Sequence, residues 1–296
     1  LLISEKKHKF YSPLRYPGGK NVLFSFVQSI IKENKYKEII YAEPYAGGCG
    51  LALKLLFEGV VDKIYLNDFD YCIFSFWKII LNNGDEFCKW IEEVEISIEN
   101  WNYFKLVIRE PNDYDQFEIA KATFFLNRCN ISGVIKGGVI GGKSQNGKYK
   151  IDARFNKSSL IDKIKIISSK KDSIYFFNLD AIEFLRYLET KESVFVYLDP
   201  PYVKKGSELY LNFYKEKNHI ELFDFLCNYN ANFMLSYDNS DLIKNLYKDY
   251  KKYIFNISQS TSNKVGNEIV LFSKNLKFKK SLIFLDNPID LGKKQK

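Results

Sequence analysis

Asp199-Pro200-Pro201-Tyr202 follows directly on the apolar run Val194-Phe195-Val196-Tyr197-Leu198, so a buried strand ends in an acid, a rigid corner and an aromatic ring. Proline has a fixed φ and no N–H. Two in succession stiffen the turn and leave carbonyl oxygens free to accept from an amino group. Asp199 is a second acceptor beside them, and Tyr202 offers a flat face on which a planar base taken out of its stack could rest. The plain alternative is an ordinary strand-to-loop turn with a capping acid.

A second group of residues lies upstream. Glu38-Ile39-Ile40-Tyr41-Ala42 reads as a buried strand that enters Glu43-Pro44 and a glycine-rich turn, Ala46-Gly47-Gly48-Cys49-Gly50. A helix from Leu51 to Phe57 follows, and then a strand, Lys63 to Asp68, with its acid at the C-terminal end. Such a turn lets backbone N–H groups approach a ligand, and an acid 20 residues beyond Gly48 is where a ribose would be held through its hydroxyls. Alone, this β-α-β unit fits a dinucleotide as well as any other ribose-bearing cofactor. The glycines, however, run G-G-x-G rather than G-x-G-x-x-G. Glu43 would repel a pyrophosphate but would suit a cofactor with a positive amino group, such as S-adenosylmethionine. Pro17-Gly18-Gly19-Lys20 resembles the end of a P-loop, yet the upstream glycine is missing and Asn21 replaces the Ser/Thr that would hold magnesium. Lys20 could instead reach the carboxylate end of an amino-acid-like cofactor.

The elements that must position these groups alternate in type at both ends of the chain, the pattern of an α/β sheet with crossover helices. Leu23, Val27, Ile30 and Ile31 recur at helical spacing. Strand signals resume at Ile174 to Asn178, before a helix whose first turn Asp180 and Glu183 could cap. After Asp199 come a helix near His219 to Cys227, a strand at Phe233 to Ser236, a helix from about Asp241, and strands at Tyr253 to Ile257 and Glu268 to Phe272. The stretch from about Tyr71 to Ile167 is helical (Ile73, Phe76, Trp77, Ile80; then Ala122, Phe125, Leu126), interrupted by a glycine- and lysine-rich segment that reads as a hairpin. The expected organisation is one discontinuous domain, 1–70 with 168–285, around an inserted, mostly helical subdomain, 71–167, and a disordered basic tail, 286–296.

With 296 residues, 46% of them hydrophobic, the chain can bury one substantial core and a smaller appended unit. No apolar stretch approaches the roughly 18 residues of a membrane span, and the first residues lack a secretory h-region, so a cytoplasmic protein is expected. Cys49, Cys72, Cys88, Cys129 and Cys227 are irregularly spaced with no C-x-x-C pair, and the only histidines are His8 and His219. A zinc site or disulfide framework is therefore not expected; buried, inert thiols are. The net charge of +8 is compatible with a polyanionic partner. Lys143, Lys148, Lys150, Arg154 and Lys157 crowd a stretch beside Gly137, Gly138, Gly141, Gly142 and Gly147, whereas Lys244, Lys248, Lys251 and Lys252, interleaved with Tyr247, Tyr250 and Tyr253, read as a solvated helix end.

Taken together, Tyr16-Pro17-Gly18-Gly19-Lys20, Glu43 to Gly50, Asn67-Asp68 and Asp199 to Tyr202, in this order and with an insert before the last, resemble the Dam-like adenine-N6-specific DNA methyltransferases. Phe125-Leu126-Asn127-Arg128 and Ser260 to Phe272 add to the likeness, which covers nearly the whole chain. The resemblance implies a Rossmann-like methyltransferase sheet whose insert is a target-recognition subdomain. It implies S-adenosylmethionine as cofactor, with Tyr16 and Lys20 at the methionyl end, Glu43, Ala46, Gly47, Gly48 and Gly50 along its flank, Asp68 at the ribose, Asp180 at the adenine and Asp199 also among the cofactor-binding residues. Asp199 and the Pro200 carbonyl would then hold the amine of a flipped adenine, with Pro201 completing the corner and Tyr202 stacking on the base.

Asn127, Arg128, Lys143, Gln145, Asn146, Lys148 and Arg154 are side-chain types that reach phosphates and base edges, and are the candidate DNA contacts. The segment Gly133 to Phe155 departs from what is associated with GATC-reading members, so no target sequence is carried over. The expected partners are duplex DNA and a cognate restriction endonuclease, with neither metal nor membrane, the chain acting as a monomer or weak dimer. Competing readings are methylation of a cytosine amine, although such enzymes more often carry serine at the position of Asp199, methylation of RNA adenine, a non-catalytic DNA-binding relative, and a dehydrogenase on the same fold.

Overall fold

In a computed structural model, which describes residues 10–16, 19–203, 214–258 and 265–292, five strands run parallel. They are β1 (Ile40–Glu43), β2 (Lys63–Asn67), β3 (Ile174–Phe177), β4 (Val194–Leu198) and β5 (Asn232–Asp238), and they lie in the order β3-β2-β1-β4-β5. β6 (Lys252–Ser258), β7 (Val265–Phe272) and β8 (Asp286–Asp290) extend the sheet antiparallel, with β7 placed between β5 and β6. Pro17, Gly18, Ser260 to Lys264 and the lysines after Gly292 lie outside the described residues.

Each central strand is apolar on both faces because helices cover both, as parallel sheets require. Alternate residues of β4 divide cleanly: Phe195 and Tyr197 enter one apolar cluster, Val194, Val196 and Leu198 the other. On the first face lie α1 (Phe24–Asn34) and α2 (Gly50–Phe57). α8 (Ala181–Leu188), α9 (Glu216–Cys227) and α10 (Asp241–Leu246) cover the second. The connection from β2 to β3 is unusually long and carries α3 (Tyr71–Asn82), α4 (Gly84–Glu93), α5 (Ile98–Arg109), α6 (Gln116–Cys129) and α7 (Lys157–Ser168). Asp70, Ser97, Asp115 and Asn156 cap the N-termini of α3, α5, α6 and α7 by accepting from free backbone N–H groups.

The helical insert shares its core with the sheet. Phe76 on α3 stacks on Phe124 of α6 at 5.5 Å, and the next residue, Trp77, stacks on Phe176 of β3 at 5.9 Å. Adjacent positions on one helix thus bind the insert to itself and to the sheet.

Three expectations are corrected. The glycine-rich segment forms no hairpin: a single bridge, Asn130 to Val139, is followed by turns in which Gly141 and Gly142 hold φ of +84° and +71°. Beyond that bridge the backbone bonds close local turns, Gly142 N–H to the Val139 carbonyl and Gln145 N–H to the Gly142 carbonyl. The tail does not begin at residue 286, because Asp286–Asp290 pairs with β6 as an edge strand. The tyrosine-lysine segment is more than a solvated helix end: Tyr247 is buried, and Lys252 turns back to donate to the Tyr247 and Lys248 carbonyls at 3.0 and 2.9 Å.

Asn127, expected at the DNA, is buried. Its amide accepts from the Arg15 N–H and donates to the Arg15 and Gly133 carbonyls, at 2.7, 2.7 and 2.9 Å. Gly133, with φ of +77°, has room for no Cβ, which would lie 2.4 Å from the Arg15 carbonyl oxygen. Asn127 therefore docks the segment 10–16 onto the insert. Asn127→Ala leaves three backbone groups without a partner. We expect a loss of about 3 kcal/mol of stability, given roughly 1 kcal/mol per hydrogen bond, read as a lower urea midpoint at unchanged slope.

Candidate active site

Parallel strands share a direction, so the residues at or just past their C-terminal ends meet along one edge. Glu43, Asp68, Asp180, Asp199 and Asp238 occupy that edge, from β1, β2, β3, β4 and β5. The strand order reverses between β1 and β4, where ligands bind in open α/β sheets. Register brings in one more acid: antiparallel β7 sets Glu268 opposite Asp238. Side-chain alternation then selects a face. Tyr197 and Asp199, Met234 and Ser236, and Glu268 and Val270 are each two apart, and all point toward the side covered by α1 and α2.

Lys20, from a 3-10 turn (Lys20–Leu23) that leads into α1, enters this cluster. Its ammonium lies 2.8 Å from both oxygens of Glu268, 3.1 Å from the Tyr202 hydroxyl and 3.3 Å from Asp199 Oδ1. The Tyr202 hydroxyl donates to Glu268 Oε1 at 2.5 Å. Asp199 Oδ1 also accepts from Ser236 Oγ at 2.7 Å, and Tyr197 lies 2.7 Å behind that serine. Among the described residues both contacts of Asp199 fall on Oδ1. Burial and the neighbouring Glu268 push the Asp199 carboxyl up, while Lys20 opposes them. The Val203 N–H donates to Asp238 at 2.9 Å, so the corner is braced on both sides of Tyr202. Pro200 and Pro201 are buried within it.

The glycine turn is close beside. Tyr16 lies across it: a Cβ on Gly47 would come 2.5 Å from the tyrosine ring, and one on Gly48 would come 2.8 Å from the tyrosine Cβ. Gly47, at φ of +47°, donates its N–H to Asp68 at 2.8 Å and accepts from the Trp77 indole at 2.9 Å. Ala46 is buried, and a Cβ on Gly50 would meet Asn21 at 2.8 Å. The other Asp68 oxygen accepts from the Asp70 N–H at 2.9 Å. Burial raises the Asp68 carboxyl to about 7, with Asp70 adding to the effect. Glu43 accepts from the Tyr41 hydroxyl at 2.8 Å, and burial raises it to about 8. An acid, Glu43, that is buried with no cation in contact among the described residues, a backbone too tight for side chains and an acid at the end of β2 fit a cofactor with an amino group and a ribose.

The structure separates the remaining candidates. Asp180 caps α8, accepting from the Ile182 N–H at 2.8 Å, and is not drawn into the Lys20 cluster. Gln145 is turned inward, donating to the Ile140 and Gly142 carbonyls and accepting from the Ile151 N–H, so it braces its own loop. Arg128 is likewise engaged, donating to the carbonyls of Arg154 and Pro13. Lys143, Asn146, Lys148 and Arg154 are exposed. Arg15, which sequence reasoning did not single out, donates to the Asn130 carbonyl at 2.8 Å and stands near Arg128 and Arg154. Burial and these neighbours lower Arg128 to about 10. Among the described residues none of the three arginines forms a salt bridge with a carboxylate. Glu268, Ser236 and Asp238 were also missed as site residues. Only the likeness of the segment Ser260 to Phe272 hinted at the first.

Among the described residues no group of His, Cys, Asp and Glu has the arrangement of a metal site, and no helix is long and apolar enough to cross a membrane. The chain is 24% identical over 268 residues, 84% of its length and 88% of the relative's, to the type II methyltransferase M1.LlaDCHI of Lactococcus lactis subsp. cremoris. Among solved structures it is similar to the rRNA methyltransferase aviRa from Streptomyces viridochromogenes, at 10% identity and a TM-score of 0.34, covering 85% of this chain and 82% of that one. The profile of the D12 class N6 adenine-specific DNA methyltransferases matches residues 16–263, from Tyr16 on the glycine turn through the helical insert and the Asp199 corner. With the match spanning most of the sequence, the chain belongs to that family and is an adenine-specific DNA methyltransferase.

Proposed function

We propose that the Asp199 to Tyr202 corner receives a flipped adenine and presents its exocyclic amine to S-adenosylmethionine held on the glycine turn. The observation that carries this reading is the convergence of Lys20, Asp199 and Tyr202 at the β4 end, next to the turn that Tyr16 and Asp68 enclose. When bound, the cofactor supplies a methyl group on a positively charged sulfur. The chain's part is to place the amine in line with that methyl and to hold its hydrogens. Asp199 Oδ2 and the Pro200 carbonyl accept the two N–H groups and turn the nitrogen lone pair toward the methyl; as the new C–N bond replaces the C–S bond one of those hydrogens leaves as a proton on the Asp199 side, and Tyr202 stacks on the base. Tyr16 and the turn from Ala46 to Gly50 line the cofactor, Asp68 takes the ribose hydroxyls and Glu43 takes the amino group. Lys20, already engaged by Glu268, Tyr202 and Asp199, organises the acceptor rather than a cofactor carboxylate.

Duplex DNA lies against the insert, where exposed Lys143, Asn146, Lys148 and Arg154 reach it, and Arg128 and Gln145 shape the loops that carry them. The type II designation of the Lactococcus relative supports a role beside a cognate endonuclease, which the modification would restrain.

Asp199→Ala removes the acceptor and leaves Tyr16, Glu43 and Asp68 in place for the cofactor. We expect methyl incorporation into mixed-sequence duplex DNA to fall by about 10³-fold or more while cofactor affinity, from calorimetry, stays within about threefold; near-normal incorporation would refute the proposed chemistry. A second expectation concerns protons. Glu43 is protonated at neutral pH before the cofactor arrives, because burial raises it to about 8. An approaching ammonium favours the carboxylate, so binding releases close to one proton at pH 7, seen as a dependence of the calorimetric enthalpy on buffer ionisation. Glu43→Gln abolishes that dependence. Third, replacing Lys148 or Arg154 by Ala should lower the slope of log affinity for duplex DNA against log salt by about one each; an unchanged slope removes that residue from the interface.

A further inference from the structure

We infer that Glu268 is a positioning residue for methyl transfer, one that locks the ammonium of Lys20 and the hydroxyl of Tyr202 into a single frame beside Asp199. The inference rests on the reading of Asp199 as acceptor of the amine hydrogens and extends it to a residue on a different strand, 69 positions away.

Glu268 is buried and contacts two groups from unrelated parts of the chain: Lys20, through both carboxylate oxygens at 2.8 Å, and Tyr202, through Oε1 at 2.5 Å. Lys20 precedes α1 and lies next to the segment that covers the glycine turn. Tyr202 follows the Pro-Pro corner and is the ring offered to the base. One carboxylate therefore joins the cofactor side of the site to the base side. A buried ion pair of this kind contributes little net stability, because desolvation offsets most of the attraction. Its effect is on placement. The ammonium is drawn 0.5 Å closer to Glu268 than to Asp199, at 2.8 against 3.3 Å, so Asp199 is held near a positive charge without being closed by it. Without Glu268, Lys20 would settle on Asp199 and occupy the acceptor, and the Tyr202 hydroxyl would lose the acceptor of its own proton.

The charge of Glu268 also reaches Asp199. Lys20 faces Asp199 from the segment before α1 and Glu268 faces it from β7, while Ser236 on β5 and Tyr197 on β4 donate within or behind it. From β1, Glu43 and Tyr41 are near enough to feel the Asp199 charge, as is Tyr237 on β5. Of these, Lys20 favours the Asp199 carboxylate and Glu268 disfavours it. Glu268→Gln keeps the shape and hydrogen-bonding capacity of the side chain and removes the charge. The Asp199 carboxylate then persists to lower pH, and the acid limb of the rate moves down.

The test compares the full chain with Glu268→Gln, Tyr202→Phe and Asp199→Ala, measuring single-turnover transfer of a labelled methyl group from S-adenosylmethionine to unmethylated genomic duplex DNA against pH, and cofactor affinity by calorimetry. Expected for Glu268→Gln are an acid limb displaced to lower pH, a plateau rate lower by about tenfold and a cofactor Kd within about threefold. Tyr202→Phe, which removes the hydroxyl that joins Glu268 and Lys20, should lower the plateau by a similar factor with affinity intact, and it carries the test alone should Glu268→Gln fail to fold. An unmoved acid limb in folded Glu268→Gln, or an unchanged plateau in Tyr202→Phe, overturns the inference. Asp199→Ala separates the two levels: if it is inactive while Glu268→Gln behaves as the parent, only the role of Glu268 falls; if it is active, the reading of the site falls with it.

Discussion

The ammonium of Lys20, buried among Asp199, Glu268 and Tyr202, is the interaction on which the arrangement of the site depends. Two carboxylates on one face of a sheet edge repel each other and resist burial; a single cation between them makes the pair tolerable. That cation comes from outside the sheet. Its segment must be docked, and the docking is done by the insert, through Asn127 and Gly133, and by the glycine turn, through Tyr16. The helical insert therefore does two kinds of work. It presents a basic surface to solvent, and from its buried side it holds the strand-end chemistry in place.

Much of this could be read from the residues. The five parallel strands follow from apolar runs bounded by turns, and their acids fall at the C-terminal edge because direction is shared, so Glu43, Asp68 and Asp199 could be singled out before any coordinates. The corner of Asp199 to Tyr202 owes its legibility to the rarity of two prolines after a buried strand. What could not be read depended on long-range register. Glu268 is an ordinary acid in a late strand until β7 is placed between β5 and β6, opposite Asp238. Ser236 looks like any small polar residue in a strand until alternation and pairing bring it under Asp199.

Several polar residues in the insert serve the fold itself, for a related reason. Asn127, Arg128 and Gln145 have the functional groups that meet nucleic acid, but the same groups satisfy backbone carbonyls and N–H groups in irregular segments. The Gly133 to Phe155 stretch is almost entirely irregular and has many such groups to satisfy. Donor chemistry alone does not tell an inward amide from an outward one. The exposed Lys143, Asn146, Lys148 and Arg154 differ from them only in where the turns point them.

The position of β7 has a consequence for how the protein comes into being. β6 precedes β7 in the chain yet lies outside it in the sheet, so β6 is joined to the parallel core only through β7, whose other side pairs with β5. Chains grow from the N-terminus and their domains tend to fold as units. The glycine turn and the Asp199 corner can thus be in place on a chain that still lacks Glu268. Such a nascent chain would hold every motif that names its chemistry without the strand that aligns them.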